Sequence, residues 1–246
     1  MAVRTARIYT THKLHSNTSV VLEPEASRHL SRVLRVVVGD KLTLFDGRGG
    51  EYPSRITAVN KNNVHVLTGA HLEDECESPL KIHLGISVSR GERMDWIIQK
   101  STELGVHCLT PLLTKHTGVK LVGDRAAKKI YHWQQIAISA CEQCGRNRAP
   151  TIRPLTSVDN WLKSTAAERK FVLHHRAFSQ TLHSDVPSSV ALLVGPEGGL
   201  NETEIAAAEQ SGYSSLKLGP RVLRTETAPL AAIAILQSRW GDMQLG

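Results

Sequence analysis

The chain has 246 residues, of which 41% are hydrophobic, enough for one large or two modest globular domains. Its 30 Lys and Arg outnumber its 23 Asp and Glu, which favours a polyanionic partner such as nucleic acid and equally fits a surplus of surface cations. No signal-peptide pattern and no apolar run of membrane-spanning length is present, so we expect a cytoplasmic protein without membrane association.

Short alternating or β-branched segments dominate the beginning of the chain. The strings "KLTLFDGRGG", "YPSRITAVN" and "NVHVLTGAHL" are separated by Gly and Asn turns. They predict a small antiparallel β-domain over residues 1–72.

Before these strands, "EASRHLSRVLRVVVGD" predicts a helix with one basic face. Arg28, Arg32 and Arg35 are spaced at i, i+4 and i+7 and therefore share one side of the helix. The stretch from Arg4 to Lys61 contains ten Lys or Arg and only five Asp or Glu. This face either binds RNA or is simply solvated. The apolar side of the helix is expected to consist of Leu30, Val33 and Leu34.

An acidic connector, "HLEDECESP", is predicted to separate this domain from a second one over residues 79–246. The second domain alternates strands with helices and begins with "LKIHLGISVS" and "GERMDWIIQKSTELGV", the latter stopped by Gly105. Strands that are apolar throughout, such as "VALLVG", indicate a parallel sheet covered on both faces. We predict an α/β domain of at least five strands, whose final helix begins at Pro229.

The cysteines and histidines do not predict a metal site. Cys141 and Cys144 form a CxxC near the end of a long helical pattern, without the second ligand pair of a zinc site and without the helix start of a redox motif. The pair His174 and His175 is expected to end a strand.

Two loops of similar design occur near the C-terminus. "LLVGPEGGLNETE" and "LKLGPRVLRTETAPLAA" each run from an apolar strand through Gly-Pro towards a helix. In a parallel sheet both loops leave the carboxyl edge, where α/β proteins bind ligands, so we expect one shared pocket. Asn201 and Glu204 are expected to cap the helix after the first loop.

The ligand of this pocket is not expected to be a polyphosphate. Neither GxxxxGK[ST] nor GxGxxG occurs, which argues against a nucleotide hydrolase. Glu197 would repel phosphate by roughly 4 kcal/mol at 4 Å and an effective dielectric near 20. S-adenosylmethionine, which carries an adenosine, a sulfonium cation and no phosphate, fits better.

The two loops, together with "ARIYT", "RHLSRVLRVVVGD", "LFDGRGGEY", "SRGERMDWIIQKSTELGV" and "ACEQCGRN", resemble the ribosomal RNA small-subunit methyltransferase E family over nearly the whole chain. That family belongs to the SPOUT methyltransferases and methylates N3 of a uridine in 16S rRNA. The resemblance implies an α/β protein with an N-terminal PUA-like β-barrel, a SPOUT domain with a C-terminal trefoil knot, and a homodimer. Chain-topology rules alone predict no knot.

The resemblance also implies that backbone groups of the two loops hold S-adenosylmethionine. The residues that match these positions are Val194, Gly195, Gly199, Leu218, Gly219, Leu223 and Thr225.

Methylation at N3 requires loss of a proton, which leaves negative charge on the uracil oxygens. Arg221 and Arg224, beside the second loop, are the candidates for stabilising that charge. The base, or a carboxylate that orients an arginine, is Glu197, Glu142 or Glu226, and the sequence does not choose among them. No metal is required. The expected contacts to 16S rRNA of the small subunit are Arg7, Arg28, Arg32, Arg35 and Arg90.

Two alternatives remain open at this stage. The target atom could be a ribose 2′-hydroxyl or another base nitrogen. The chain could also be a non-catalytic RNA-binding dimer.

Overall fold

The computed structural model describes residues 5–61, 63–119, 121–174 and 185–244, and its contacts divide the chain into two compact units. The first unit consists of the chain up to Glu77 together with Cys141–Ala149. The second unit consists of Ser78–Ala140 and the chain from Pro150 onwards. Each unit is therefore assembled from two separate stretches of chain. The limits predicted from the sequence, residues 1–72 and 79–246, remain a prediction.

The first unit contains a five-stranded sheet in the order β1-β3-β4-β5-β2. β1 pairs with β3 in parallel and the other pairs are antiparallel. Alternate side chains are buried along the strands, as the β-branched pattern predicts. The strands are β1 Ala6–Tyr9, β2 Ser19–Val21, β3 Lys41–Phe45, β4 Tyr52–Val59 and β5 Val64–Thr68.

The predicted basic helix is present but irregular. α1, Pro24–Arg28, continues as a π-helix over His29–Leu34 and ends at Arg35, whose φ of 52° is left-handed. The predicted apolar side was partly wrong: Leu30 is buried, whereas Val33 and Leu34 are 66% and 43% exposed. The i→i+5 pattern turns less per residue than an α-helix, so these two side chains rotate away from the face of Leu30.

The acidic connector is packed into the first unit. The Glu75 carboxylate accepts a hydrogen bond from the backbone N–H of Gly50 at 2.7 Å. Arg146 donates to both oxygens of Glu77, from Nε at 2.9 Å and from Nη2 at 2.6 Å. Arg146 belongs to the segment 141–149 at the end of the long helix, so this ion pair binds that segment to the connector.

The second unit contains a seven-stranded parallel sheet in the order β12-β10-β11-β6-β7-β8, with β9 also paired to β7. In β11 five consecutive residues, Val190 to Val194, are buried, which confirms the prediction of a sheet covered on both faces. The strands are β6 Lys81–Ser87, β7 Val106–Leu113, β8 Thr151–Ile152, β9 Thr156–Ser157, β10 Arg169–Leu173, β11 Ser189–Val194 and β12 Ser214–Leu216.

Several predicted helix ends are confirmed and one is shifted. Gly105, with φ of 81°, follows α2. Asn201 and Glu204 form a complete capping box at α5. α6 begins at Thr227, so Pro229 is its third residue; its missing N–H still lies in the first turn, where such groups have no partner within the helix. The helices are α2 Arg93–Glu103, α3 Gly123–Cys144, α4 Val158–Ser164, α5 Glu202–Gln210 and α6 Thr227–Trp240.

The trefoil knot implied by the resemblance remains a prediction. The connection from β10 to β11 passes through residues 175–184, which lie outside the described residues. His175, expected to end a strand, lies there too, while His174 directly follows β10. Among the helices described, none has the length and apolarity needed to cross a membrane.

Candidate functional site

The two Gly-Pro loops lie at one edge of the sheet. β10 lies between β11 and β12 and is parallel to both, so the first loop (195–201, after β11) and the second loop (217–226, after β12) leave from the same carboxyl edge. Together they line a cavity of about 550 Å³. Ligand sites usually measure ~300–1,000 Å³. The expectation that the loops form one pocket is confirmed.

The first loop folds tightly on itself. The Gly199 N–H donates to the Pro196 carbonyl at 2.8 Å, and Gly199 has a left-handed φ of 72°. A Cβ on Gly195 would lie 2.8 Å from the backbone nitrogen of Leu200. Glycine is therefore required at these two positions for different reasons, one conformational and one steric.

The segment after β7 forms hydrogen bonds with the first loop and with the helix that follows it. His116 Nδ1 donates to the Gly199 carbonyl at 3.1 Å, which assigns the Nδ1–H tautomer, and the Lys115 N–H donates to Glu204 at 2.8 Å. Gly198 lies against the His116 side chain. The first loop is thus held by this segment as well as by its own turn.

Glu197 forms an ion pair at the pocket. Its Oε1 accepts a hydrogen bond from Arg93 Nη1 at 2.7 Å. Burial raises the pKa of Glu197, but hydrogen bonds from its own N–H, from Arg93 and from the Arg90 N–H outweigh that effect and leave the pKa below its ordinary value. A carboxylate stabilised in this way is a weak base. The arrangement matches the predicted alternative of an acid that orients an arginine.

The other two candidate acids have different surroundings. Glu226 lines the pocket, with Oε2 at 3.9 Å from Arg93 Nε. Glu142 belongs to the first unit, where it accepts a hydrogen bond from the Tyr9 N–H at 3.0 Å. Burial raises the pKa of Glu142. Glu142 is not among the residues that line the pocket.

The second loop exposes two arginines to the pocket. Gly219 has a left-handed φ of 72°, and the Arg224 carbonyl accepts the N–H groups of Thr227 and Ala228, each at 2.9 Å. The side chains of Arg221 and Arg224 are exposed and line the cavity. Neither forms an ion pair with any carboxylate of the described chain, so both are available to a ligand.

Every residue predicted to hold the cofactor lies on the wall of this cavity, as do Arg221, Arg224 and Glu197. Sequence reasoning missed Arg93, which lines the same cavity. The sequence did contain a signal for Arg93. The string "SRGERMDW", which contains it, follows a predicted strand of the parallel sheet and therefore starts at the carboxyl edge, where the pocket was expected. The predicted cofactor residues brought together here are Val194, Gly195, Gly199, Leu218, Gly219, Leu223 and Thr225.

Of the predicted RNA-binding residues, Arg28, Arg32 and Arg35 are exposed on the first unit. Arg90, on the second unit, is exposed and donates from Nε to the Gly118 carbonyl at 3.2 Å.

The assignment of Arg7 to this set is corrected. Its guanidinium pairs with Glu51, donates to Asn147 Oδ1 at 2.6 Å and lies 5.1 Å from the centre of the Phe45 ring. Only 12% of the side chain is exposed, so Arg7 stabilises the first unit.

The CxxC cysteines lie at the end of α3, where Cys141 is buried and Cys144 is half-buried. Hydrogen bonding to Cys144 and burial raise the pKa of Cys141, the opposite of what a reactive thiolate needs. Within the part of the chain that the structure describes, no cluster of three or more His, Cys, Asp or Glu could hold a metal ion.

Comparison with known proteins agrees with this architecture. The family described as "RNA methyltransferase domain" matches residues 76–237, and "RNA methyltransferase PUA domain" matches residues 22–68. Ribosomal RNA small subunit methyltransferase E of Buchnera aphidicola (subsp. Schizaphis graminum) is 36% identical, over 99% of this chain and 100% of its own. The Bacillus subtilis protein of that name is 32% identical, over 86% and 87% of the two chains.

Solved structures give the same result. Ribosomal RNA small subunit methyltransferase E of Neisseria gonorrhoeae, bound to S-adenosyl methionine, matches with a TM-score of 0.92 and 40% identity over 98% of this chain and 100% of that one. A Legionella pneumophila protein in complex with bound SAM matches with a TM-score of 0.94 and 44% identity over the same shares.

Fold and loops thus define an RNA methyltransferase domain joined to a PUA domain. More narrowly, the chain belongs to the ribosomal RNA small subunit methyltransferase E family.

Proposed function

We propose that this chain binds S-adenosylmethionine between its first and second loops and methylates N3 of a uridine in 16S rRNA of the small ribosomal subunit. The observation that carries the proposal is the cavity that the two loops share, because every predicted cofactor residue lines it. Two structures of similar proteins, at 40% and 44% identity, contain the same cofactor.

The residues present suit this cofactor. The cavity is lined by glycines and aliphatic side chains, which favour contacts from the backbone and from apolar surfaces. The charged lining residues are three arginines and two glutamates, without the lysine of a phosphate-binding loop. When bound, the cofactor supplies an electrophilic methyl group on a sulfonium sulfur, and the loops need only align it for in-line transfer.

Arg221 and Arg224 activate the nucleophile in this proposal. As N3 loses its proton, negative charge develops on the uracil oxygens, and an aimed guanidinium stabilises it. A hydrogen bond to a charged group contributes about 1.5–3 kcal/mol, and ~1.4 kcal/mol corresponds to one pKa unit. One arginine therefore lowers the N3 pKa by about one to two units. Neither arginine forms an ion pair with a described carboxylate, which supports this role, because no ion pair has to break before the guanidinium can contact the uracil.

Glu197 acts indirectly in this proposal. Its lowered pKa and its pairing with Arg93 suit it to orienting the first loop, and they suit proton abstraction poorly.

RNA is held by the exposed arginines of the first unit, with Arg90 as a further contact from the second. Arg28, Arg32 and Arg35 supply phosphate contacts that give affinity and register. We assign this role to the predicted domain over residues 1–72, with methyl transfer in residues 79–246. The enzyme works as a homodimer in the cytoplasm, where its ribosomal substrate is located.

The test uses small ribosomal subunits that lack the modification. The purified chain is incubated with them and with S-adenosylmethionine carrying a labelled methyl group, and the labelled nucleoside is identified by mass spectrometry. We expect 3-methyluridine at one position of 16S rRNA. A label on a ribose 2′-hydroxyl or on another base nitrogen would contradict the assignment of the target atom. No binding of the cofactor in calorimetry would contradict catalysis itself.

A further inference from the structure

Arg93 begins α2, and the start of that helix is firmly fixed. Ile97 and Ile98, one turn later, are fully buried in the core of the second unit. Asp95 accepts hydrogen bonds from Trp133 Nε1 and His132 Nε2, both at 3.0 Å, which tie α2 to α3. The backbone that carries Arg93 therefore has little freedom to move.

The guanidinium of Arg93 lies between two acids that come from different loops. Glu197 belongs to the first loop and lies 2.7 Å from Nη1. Glu226 belongs to the second loop and lies 3.9 Å from Nε. All three residues line the same cavity. One cation on a fixed helix thus attracts one carboxylate from each side of the pocket.

Without this cation, two carboxylates would face the same cavity with no neutralising partner between them. Like charges repel, and this repulsion would favour a wider separation of the loops. The planar fork of arginine can direct separate N–H groups to separate carboxylates, which a lysine ammonium does less well.

We propose that Arg93 is a positioning residue that holds the first and second loops at the spacing the cofactor requires. This inference rests on the proposed function, since it takes S-adenosylmethionine as the ligand of the pocket. Arg93 acts through Glu197 and Glu226, and the pocket is preorganised before the ligand enters.

The test compares Arg93→Gln with the wild-type chain by titration calorimetry with S-adenosylmethionine. We expect about fivefold weaker binding, because a half-exposed pair of good geometry contributes at the upper end of the range for surface ion pairs. Arg93→Lys should bind with intermediate affinity. The control is Arg125→Gln on α3, which removes the same charge from an exposed site away from the pocket and should bind as the wild type does.

A double-mutant cycle shows whether Arg93 acts through Glu197. Glu197→Gln alone should also weaken binding of the cofactor. The double variant should bind the cofactor only slightly more weakly than Arg93→Gln does, because the ion pair is already broken in the single variant. In steady-state assays KM for the cofactor should rise with Kd, while Kd for RNA stays unchanged. Partial misfolding would instead lower the binding stoichiometry and kcat at unchanged Kd.

Several outcomes would overturn the proposal. If Arg93→Gln binds the cofactor as tightly as the wild type, the loops do not need the ion pair. If it binds the cofactor normally but RNA weakly, Arg93 contacts the substrate directly. If the two single changes are additive, Arg93 and Glu197 act independently. Failure of the proposed function is distinguishable, because the wild-type chain itself would then not bind S-adenosylmethionine.

Discussion

At the scale of single residues, the three arginines that line the cavity fall into two groups. Arg93 is paired with acids of both loops, whereas Arg221 and Arg224 face the cavity without a carboxylate partner in the described chain. A paired guanidinium has part of its charge neutralised, so the unpaired ones are better placed to stabilise a new anion. This division supports assigning the chemistry to the second loop.

Replacing Arg224 with Ala should therefore lower the rate of methyl transfer about 10- to 150-fold, corresponding to the ~1.5–3 kcal/mol of one charged hydrogen bond. Single-turnover assays with saturating cofactor measure this rate directly. The fold should persist, because the hydrogen bonds that involve Arg224 at the start of α6 are accepted by its backbone carbonyl. Arg125→Ala is the matched control, and near-normal turnover of Arg224→Ala would contradict the role.

His83 predicts a dependence of stability on pH. Burial, together with the charges of Arg153 and His107, lowers the pKa of His83 from 6.5 to about 4. Its Nε2 accepts a hydrogen bond from Trp161 Nε1 at 3.2 Å and lies 2.7 Å from Thr110 Oγ1, so the folded state requires the neutral ring. The unfolded chain takes up a proton as the pH falls below 6.5, while the folded chain resists until about 4.

The contribution of His83 to the free energy of unfolding should therefore be greatest above pH 6.5 and should fall by about 3 kcal/mol as the pH decreases to about 4. Urea unfolding between pH 7 and 4.5 measures the slope. His83→Gln should be less stable at pH 7 but should show a flatter slope. His15→Gln, at an exposed site, should keep the wild-type slope. An identical slope in the His83 variant would rule out this residue as the source.

At the scale of the structural element, the first loop depends on close contact within its own backbone. Gly195 cannot carry a Cβ without meeting the nitrogen and Cγ of Leu200 at 2.8 and 2.9 Å, whereas a Cβ on Gly198 would make only a 3.4 Å contact with His116. Two glycines of one loop thus differ sharply in how they should tolerate alanine.

Gly195→Ala should weaken binding of S-adenosylmethionine about tenfold, or ~1.4 kcal/mol, because the turn must open to accept the methyl group. Gly198→Ala should bind nearly as the wild type does and serves as the control from the same loop. Calorimetry measures both affinities. Equal affinities for the two variants would show that the shape of this turn does not govern binding.

The element from Pro24 to Arg35 carries the basic surface of the first unit. Its π-helical half presents Arg32 next to the exposed Val33, and the left-handed Arg35 ends it. Exposed arginines of this kind bind phosphates and release counterions, which makes RNA affinity depend on salt.

The double change Arg32→Ala and Arg35→Ala should weaken RNA binding and reduce the slope of log K against log salt by about 1.4–1.8, the expectation for two lost phosphate contacts. Fluorescence anisotropy with a 16S rRNA fragment over a range of salt measures the slope. Removing Lys41 and Arg55, an exposed pair on β3 and β4, takes away the same charge from another surface of the unit. If both double variants change the slope equally, the effect is one of net charge rather than of a defined surface.

At the scale of the whole molecule, two helices that pack together expose large apolar side chains. Trp96 on α2 is 51% exposed and Ile235 on α6 is 46% exposed. Large apolar side chains that adjacent helices expose together are common in subunit interfaces.

We expect the chain to be a dimer in solution, with twice the chain mass of 27.0 kDa in light scattering. Trp96→Glu and Ile235→Glu should each shift the equilibrium towards the monomer, because a buried carboxylate at an interface is costly. Val122→Glu, at another exposed apolar position, is the control. A wild-type chain that is monomeric at micromolar concentration would contradict the prediction.

The sequence predicted those features that depend on neighbouring residues. Alternation identified β3, β4 and β5 of the first unit, the capping box at Asn201 followed from its spacing to Glu204, and the two Gly-Pro loops were found because each follows an apolar strand. Their meeting in one pocket followed from the geometry of a parallel sheet.

Features that depend on distant partners could not be predicted in this way. Arg93 and Glu197 are 104 positions apart, so no local pattern reveals their ion pair. The partners of Arg7 were missed for the same reason, since Glu51 and Asn147 lie 44 and 140 positions away. Val33 and Leu34 became exposed because a π-helix replaced the α-helix, a change that periodicity alone does not indicate.

The division of the first unit into two stretches has a consequence for biosynthesis. Tyr9 and Glu77 leave the ribosome early, but their partners Glu142 and Arg146 follow only after much of the second unit has been translated. At ~5–20 residues per second, the roughly 70 residues from Glu77 to Ala149 take about 4 to 14 seconds. During that interval the nascent β-sheet exists without the segment that completes its polar contacts. The first unit therefore matures only when the chain is more than half made.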